Sequence, residues 1–172
     1  TKNTKYWIPD TCFAGSGMTD NAMTNDAWET ALNILNHAPQ TRAKLIRKLT
    51  DKGFPADSCQ AAADKAMHYK MLDDAAYAKA LVARETRKRH GPLRIRETLR
   101  NHGIDDAAAD NALAQAGCSD ADSRLRQALS ALEKIRKKTD TADAGKLTRY
   151  LFNRGFDHDT IRKVIRTDDD HE

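Results

Sequence analysis

From Lys79 to His102 the chain carries Lys79, Arg84, Arg87, Lys88, Arg89, Arg94, Arg96 and Arg100 against only two acids, Glu85 and Glu97. This stretch is net +6 in a chain whose formal net charge is +4, so the remainder is net −2. Guanidinium groups suit bidentate contact with phosphate or carboxylate. The chemistry on offer is therefore recognition of an anion. A second cluster, Arg42, Lys44, Arg47, Lys48 and Lys52, faces Asp51 alone. A third run, Lys134, Arg136, Lys137 and Lys138, has the character of a helix C-terminus, where cations are favoured. A solvated helix face is the plain explanation for most charge runs. The one-sidedness of the central run gives a binding surface equal standing. Arg96 and Arg100 stand four apart and off the face marked by Ile95 and Leu99.

Catalytic and metal-binding patterns are absent. His37, His68, His90, His102, His158 and His171 form no H-x-x-x-H or H-E-x-x-H arrangement. Asp73-Asp74 and Asp105-Asp106 stand where helices start, so capping outweighs acid–base work. Gly15-Ser16-Gly17 lacks the third glycine of a nucleotide fingerprint and the strand before it. Cys12, Cys59 and Cys118 are odd in number and have no metal-ligand spacing. No stretch approaches the roughly 20 apolar residues of a membrane helix, and no apolar leader opens the sequence. The expectation is a non-enzymatic cytoplasmic protein without cofactor, metal or membrane contact, and a monomer.

The elements that must carry these charges are legible from a repeat. Gly53-Phe54, Gly103-Ile104 and Gly155-Phe156 each follow a helix-like stretch, 50 and 52 residues apart. Leu45 and Leu49, Ile95 and Leu99, and Leu147 and Leu151 precede them at minus eight and minus four. Glycine takes the left-handed conformation after a helix, and the apolar residue folds back over the last turn. Thr41, Asp73, Asp105 and Asp157 are positioned as caps, and Pro55 takes that place in the first copy. Trp28, Ala31, Leu32 and Leu35 share one helical face, as do Tyr77, Ala78, Leu81 and Val82, and Leu125, Leu129 and Leu132. A third helix of the first copy holds Cys59, Ala62, Ala63, Ala66 and Met67. Period-two alternation is nowhere sustained. The fold expected is all-α: three tandem three-helix repeats forming an elongated, curved array. Residues 1–25 are an extension, 26–72 the first repeat, 73–117 the basic second, 118–167 the third, and 168–172 an acidic tail.

These residues carry a resemblance. Leu72-Asp73-Asp74-Ala75-Ala76-Tyr77-Ala78, Val82, Arg84, His90-Gly91-Pro92-Leu93-Arg94-Ile95-Arg96, and Leu99 to Gly103-Ile104 resemble the central signature of the RecX family of bacterial recombination regulators. Pro39, Thr41-Arg42 and Lys52-Gly53-Phe54 agree in the first copy, and Arg154-Gly155-Phe156 and Ile161 in the third. The resemblance covers about residues 26–167. It implies tandem three-helix repeats that lodge along the groove of the RecA filament on single-stranded DNA. It also implies inhibition of strand exchange, ATP hydrolysis and coprotease activity, with single-stranded or duplex DNA as a secondary partner.

The candidate contact residues are Arg84, Arg87, Lys88, Arg89, Arg94, Arg96 and Arg100, with Arg42, Lys44, Arg47 and Lys48. The alternative is a helical-repeat protein acting mainly on DNA. Against it, the third helices of the second and third copies begin acidic or mixed, a poor surface for a major groove.

Overall fold

The computed structural model describes residues 20–118, 120–136 and 144–169, and among these the chain is helical without strands. The first triplet is α1 (Asp20–His37), α2 (Arg42–Asp51) and α3 (Ala56–His68). The second is α4 (Asp74–Arg87), α5 (Pro92–Asn101) and α6 (Asp106–Gln115). The third is α7 (Ala121–Arg136), α8 (Ala144–Asn153) and α9 (His158–Asp169). α1 starts inside the stretch that sequence alone assigns to an extension, and α9 runs into the acidic tail. The sequence of these two ends, rich in Asp, Asn and Thr, offers no sustained apolar period to read. The Gly15–Gly17 stretch, Cys12, Ser119 and the polar break at Thr139–Asp143 lie outside the described residues.

Starts and stops follow local chemistry. The side chains of Thr41, Asp73 and Asp105 accept from the N–H groups of Lys44, Ala76 and Ala108. Asp157 accepts from Thr160 N–H at 2.8 Å. Each satisfies a helix-start donor that has no partner within its own helix. Gly53, Gly103 and Gly155 have φ of +90°, +76° and +83°. The next residues, Phe54, Ile104 and Phe156, donate back to the carbonyls of Leu49, Leu99 and Leu151. Ile104 and Phe156 are buried by this return, and Phe54 is half-buried.

Each triplet closes its own core. Leu45, Leu49, Cys59 and the α3 alanines fill the first, Leu81, Val82, Ile95 and Leu99 the second, and Leu147, Leu151, Phe156 and Val164 the third. Met67, grouped by sequence with the α3 core residues, is 47% exposed. The α3 stripe ends at Ala66, and Met67 lies one step around the helix.

The three cores do not merge, so polar contacts join the triplets. The free N–H groups of Gly91 and Leu93, at the start of α5, donate to Arg154 O at 2.7 Å and Gly155 O at 3.1 Å. Orphan donors of one helix thereby meet orphan acceptors of another, with the helix dipoles head to tail. The first and second triplets meet at equivalent places. Thr41 Oγ1 donates to His102 O at 2.6 Å, Arg42 N–H donates to Asp74 Oδ1 at 2.9 Å, and Ala43 lies against Gly103. The second helices α8, α5 and α2 thus follow one another end to end, and at Gly53, which closes the row, an added Cβ would meet no described atom within 4 Å.

Gly91 shows how close the approach is. Its φ of −77° suits any residue. A Cβ there would lie 2.7 Å from the Phe156 nitrogen and closer still to Gly155 O. Gly91→Ala is expected to cost about 2–3 kcal/mol through overpacking and two lost hydrogen bonds. It should also raise the radius of gyration in small-angle scattering as the junction opens. Gly53→Ala should cost only about 1 kcal/mol of left-handed strain and leave that radius unchanged. Equal behaviour of the two variants would contradict the junction.

A basic seam as the candidate functional site

The sequence-derived cations fall into distinct settings. Arg42 pairs with Asp64 at 2.7 Å and reaches Gln60, both on α3. Arg94 donates to Asn153 O at 2.8 Å, and Arg89, at φ +62°, donates to Ser130 Oγ at 3.1 Å. These two tie the second triplet to the third. Arg96 pairs with Asp110, and Arg100 with Asp106 at 2.9 Å, both acids on α6. Asp105 is an N-cap, as expected, while Asp106 also answers Arg100. Arg84 and Lys88 share Glu85 Oε1 at 3.1 and 3.0 Å. Arg47, Lys48 and Arg87 are exposed and make no ion pair among the described residues.

The fold brings part of the first cluster against part of the central run. Lys44 on α2 lies with its Nζ 3.5 Å from His102 Nε2. The other ring nitrogen, Nδ1, is 2.7 Å from the Tyr77 hydroxyl. His102 and Tyr77 belong to the second triplet, so this contact spans the junction where Thr41 meets His102. Burial pushes the Lys44 ammonium below its usual range, and the charges of Arg47, Lys48 and Arg84 push the same way. Burial also lowers His102, followed by Lys44 and Arg84, with Glu85 opposing. Four cations from two triplets therefore share one electrostatic neighbourhood. With the ring neutral, Nε2 accepts from Lys44 only in the Nδ1–H tautomer, which then donates to the Tyr77 oxygen.

Glu85 anchors the next corner. It is 4% exposed. Its oxygens accept from Arg84, Lys88 and His90, the last at 2.8 Å. Burial pushes its carboxyl upward, but the bonds from Lys88, His90 and Arg84 outweigh that and hold it at about 2. The corner it anchors runs from Lys88 to Gly91. Lys88 O accepts from the Arg154 guanidinium, and Gly91 N–H reaches Arg154 O. One buried carboxylate thus fixes two surface cations and the docking turn.

Sequence reasoning missed Tyr77, His102 and the burial of Glu85. A signal for Glu85 was available: at 50-residue spacing the equivalent positions are Leu35 and Ile135, an apolar column interrupted by one charge. The Tyr77–His102–Lys44 contact had no such signal, because it depends on how two repeats meet. No group able to hold a metal ion occurs among the described residues.

Family models match all three triplets. Residues 27–65 match RecX, first three-helix domain; 73–113 match RecX, second three-helix domain; and 122–165 match RecX, third three-helix domain. Regulatory protein RecX of Legionella pneumophila is 31% identical over 143 residues, covering 81% of this chain and 93% of that protein. Regulatory protein RecX of Pseudomonas fluorescens is 30% identical over 136 residues, covering 79% and 87%. The crystal structure of RecX from Lactobacillus salivarius superposes with a TM-score of 0.73 at 22% identity, covering 86% of this chain and 97% of that one. That likeness speaks to the fold.

Glu85 sets a pH test. Its carboxyl sits near 2 rather than 4.5, so its stabilisation is present above pH 4.5 and lost as pH falls from 4.5 through 2. Glu85→Gln should lower stability in urea by about 2–3 kcal/mol at pH 7 and match the unaltered protein near pH 2. An equal gap at both pH values would show that the carboxylate charge is not what holds the corner.

Proposed function

Because the chain belongs to the RecX family of regulatory proteins, we propose that it is a negative regulator of homologous recombination and the SOS response. It binds as a cytoplasmic monomer along the groove of the RecA filament on single-stranded DNA. Bound there, it inhibits strand exchange, ATP hydrolysis and coprotease activity, and it catalyses no reaction itself. The observation that carries this reading is the contact across the first junction, where Lys44 lies 3.5 Å from the His102 ring with Arg47, Lys48 and Arg84 near enough to push its ammonium below the usual range. A solvated helix face gives no reason for cations of two repeats to converge. A surface that follows an anionic groove does. The end-to-end row of second helices supplies the length.

Action on DNA alone is less well supported. The helices that would enter a major groove begin with Asp105 and Asp106, and with Asp157 and Asp159. Phosphates repel such starts.

The surface cations differ in readiness. Arg96 and Arg100 hold exposed ion pairs, worth about 0–1 kcal/mol, which a partner can exchange. Arg47, Lys48 and Arg87 hold no ion pair among the described residues that would have to be released. Reversing these three to Glu is expected to weaken inhibition of RecA ATP hydrolysis at least about tenfold, with helicity by circular dichroism unchanged. Arg96→Glu with Arg100→Glu should weaken inhibition less and lower stability slightly, since each new carboxylate faces Asp110 or Asp106. Undiminished inhibition by the triple variant would remove the seam from the interface.

A further inference from the structure

The groups around His102 come from two helices. α2 contributes Thr41, Lys44 and Arg47, and α4 contributes Tyr77, Arg84 and Glu85. Glu85 is the only acid among them, and its oxygens are taken by Arg84, Lys88 and His90. Lys44 and Arg47 therefore act on a half-buried imidazole whose one acidic neighbour is already shared among three other cations. Such an arrangement is self-repelling, and a bound anion relieves it.

We propose that the seam between the first two triplets is a phosphate site whose occupancy is coupled to protonation of His102. In the empty seam, Lys44 donates to Nε2, and Nδ1–H donates to Tyr77. An arriving phosphate oxygen draws the Lys44 ammonium to itself. Nε2 then takes up one proton from bulk solvent, and the resulting Nε2–H donates a hydrogen bond to the same anion. Nδ1–H keeps its bond to Tyr77, so the ring does not turn. One proton is taken up per occupied seam. Cations distributed over two helices suit successive phosphates of a nucleic-acid strand better than a single carboxylate. The inference rests on the proposed binding surface but tests it one step earlier, on the protein alone.

The experiment is an NMR titration of the His102 ring from pH 8 to 5. It is run free, with a saturating single-stranded oligonucleotide, with inorganic phosphate, and with an aspartate-rich peptide. The oligonucleotide is expected to raise the His102 midpoint by about one unit, and affinity should rise about tenfold between pH 8 and 5.5. Inorganic phosphate should shift it in the same direction but less. His102→Gln should bind with the pH dependence lost, and Lys44→Ala should bind weakly. An unmoved His102 midpoint with bound oligonucleotide would overturn the proposal, as would full pH dependence in His102→Gln. A shift caused by the peptide and not by the oligonucleotide would overturn it in favour of an acidic protein surface. If inhibition of the filament is intact while His102 stays unmoved, only this inference falls. If His102 responds while Lys44→Ala inhibits the filament normally, the filament-binding reading of the seam falls instead.

Discussion

Every helix leaves donors free at its start and acceptors free at its end. In this chain the end of α8 supplies acceptors that the start of α5 lacks, and at the first junction the Thr41 hydroxyl and the Asp74 carboxylate supply what the end of α5 and the start of α2 lack. The constraint matters because, among the described residues, the three buried cores are separate and each is filled by its own helices. The junctions therefore rest on a few directional contacts: Gly91 and Leu93 on Arg154 and Gly155, and Thr41 and Arg42 on His102 and Asp74. Individually such bonds are modest, about 0.5–1.5 kcal/mol each. They gain rigidity from being made at helix ends, where the geometry is already fixed. The absence of side chains at Gly91 and Gly103 lets the backbones come close enough.

The same junctions place the charges. Thr41 caps α2 and also reaches His102 O, so the helix start that projects Lys44 and Arg47 is pinned to the second triplet. On the other side Glu85 gathers Arg84, Lys88 and His90. A leucine there, as at Leu35, would bury more comfortably. The carboxylate instead fixes the corner that docks on the third triplet. Charge display and repeat stacking are thus one arrangement, and disturbing either should disturb the other.

Much of this was legible in the sequence. The Gly-apolar pairs mark helix ends because their chemistry is local: a positive φ followed by an apolar return. Thr41, Asp73, Asp105 and Asp157 cap as their types require. Leu45, Leu49, Ile95 and Leu99 are buried because their spacing lines one face. The site was legible only as a list of cations. Sequence could not separate Arg96 and Arg100, answered by α6, from Arg47 and Arg87, which are not, because pairing depends on which helices face each other. Nor could it join Tyr77 to His102, 25 residues away, or bring Lys44 to the same ring from 58 residues away.

A direct view of the bound protein bears most on the seam as the working surface. Electron cryomicroscopy of this protein on a RecA filament formed on single-stranded DNA with an ATP analogue would give that view. The expected map has the row of second helices along the groove, with Arg47, Arg84 and His102 turned toward the phosphates. A map with that seam in solvent, and α6 or α9 against the DNA instead, would contradict it.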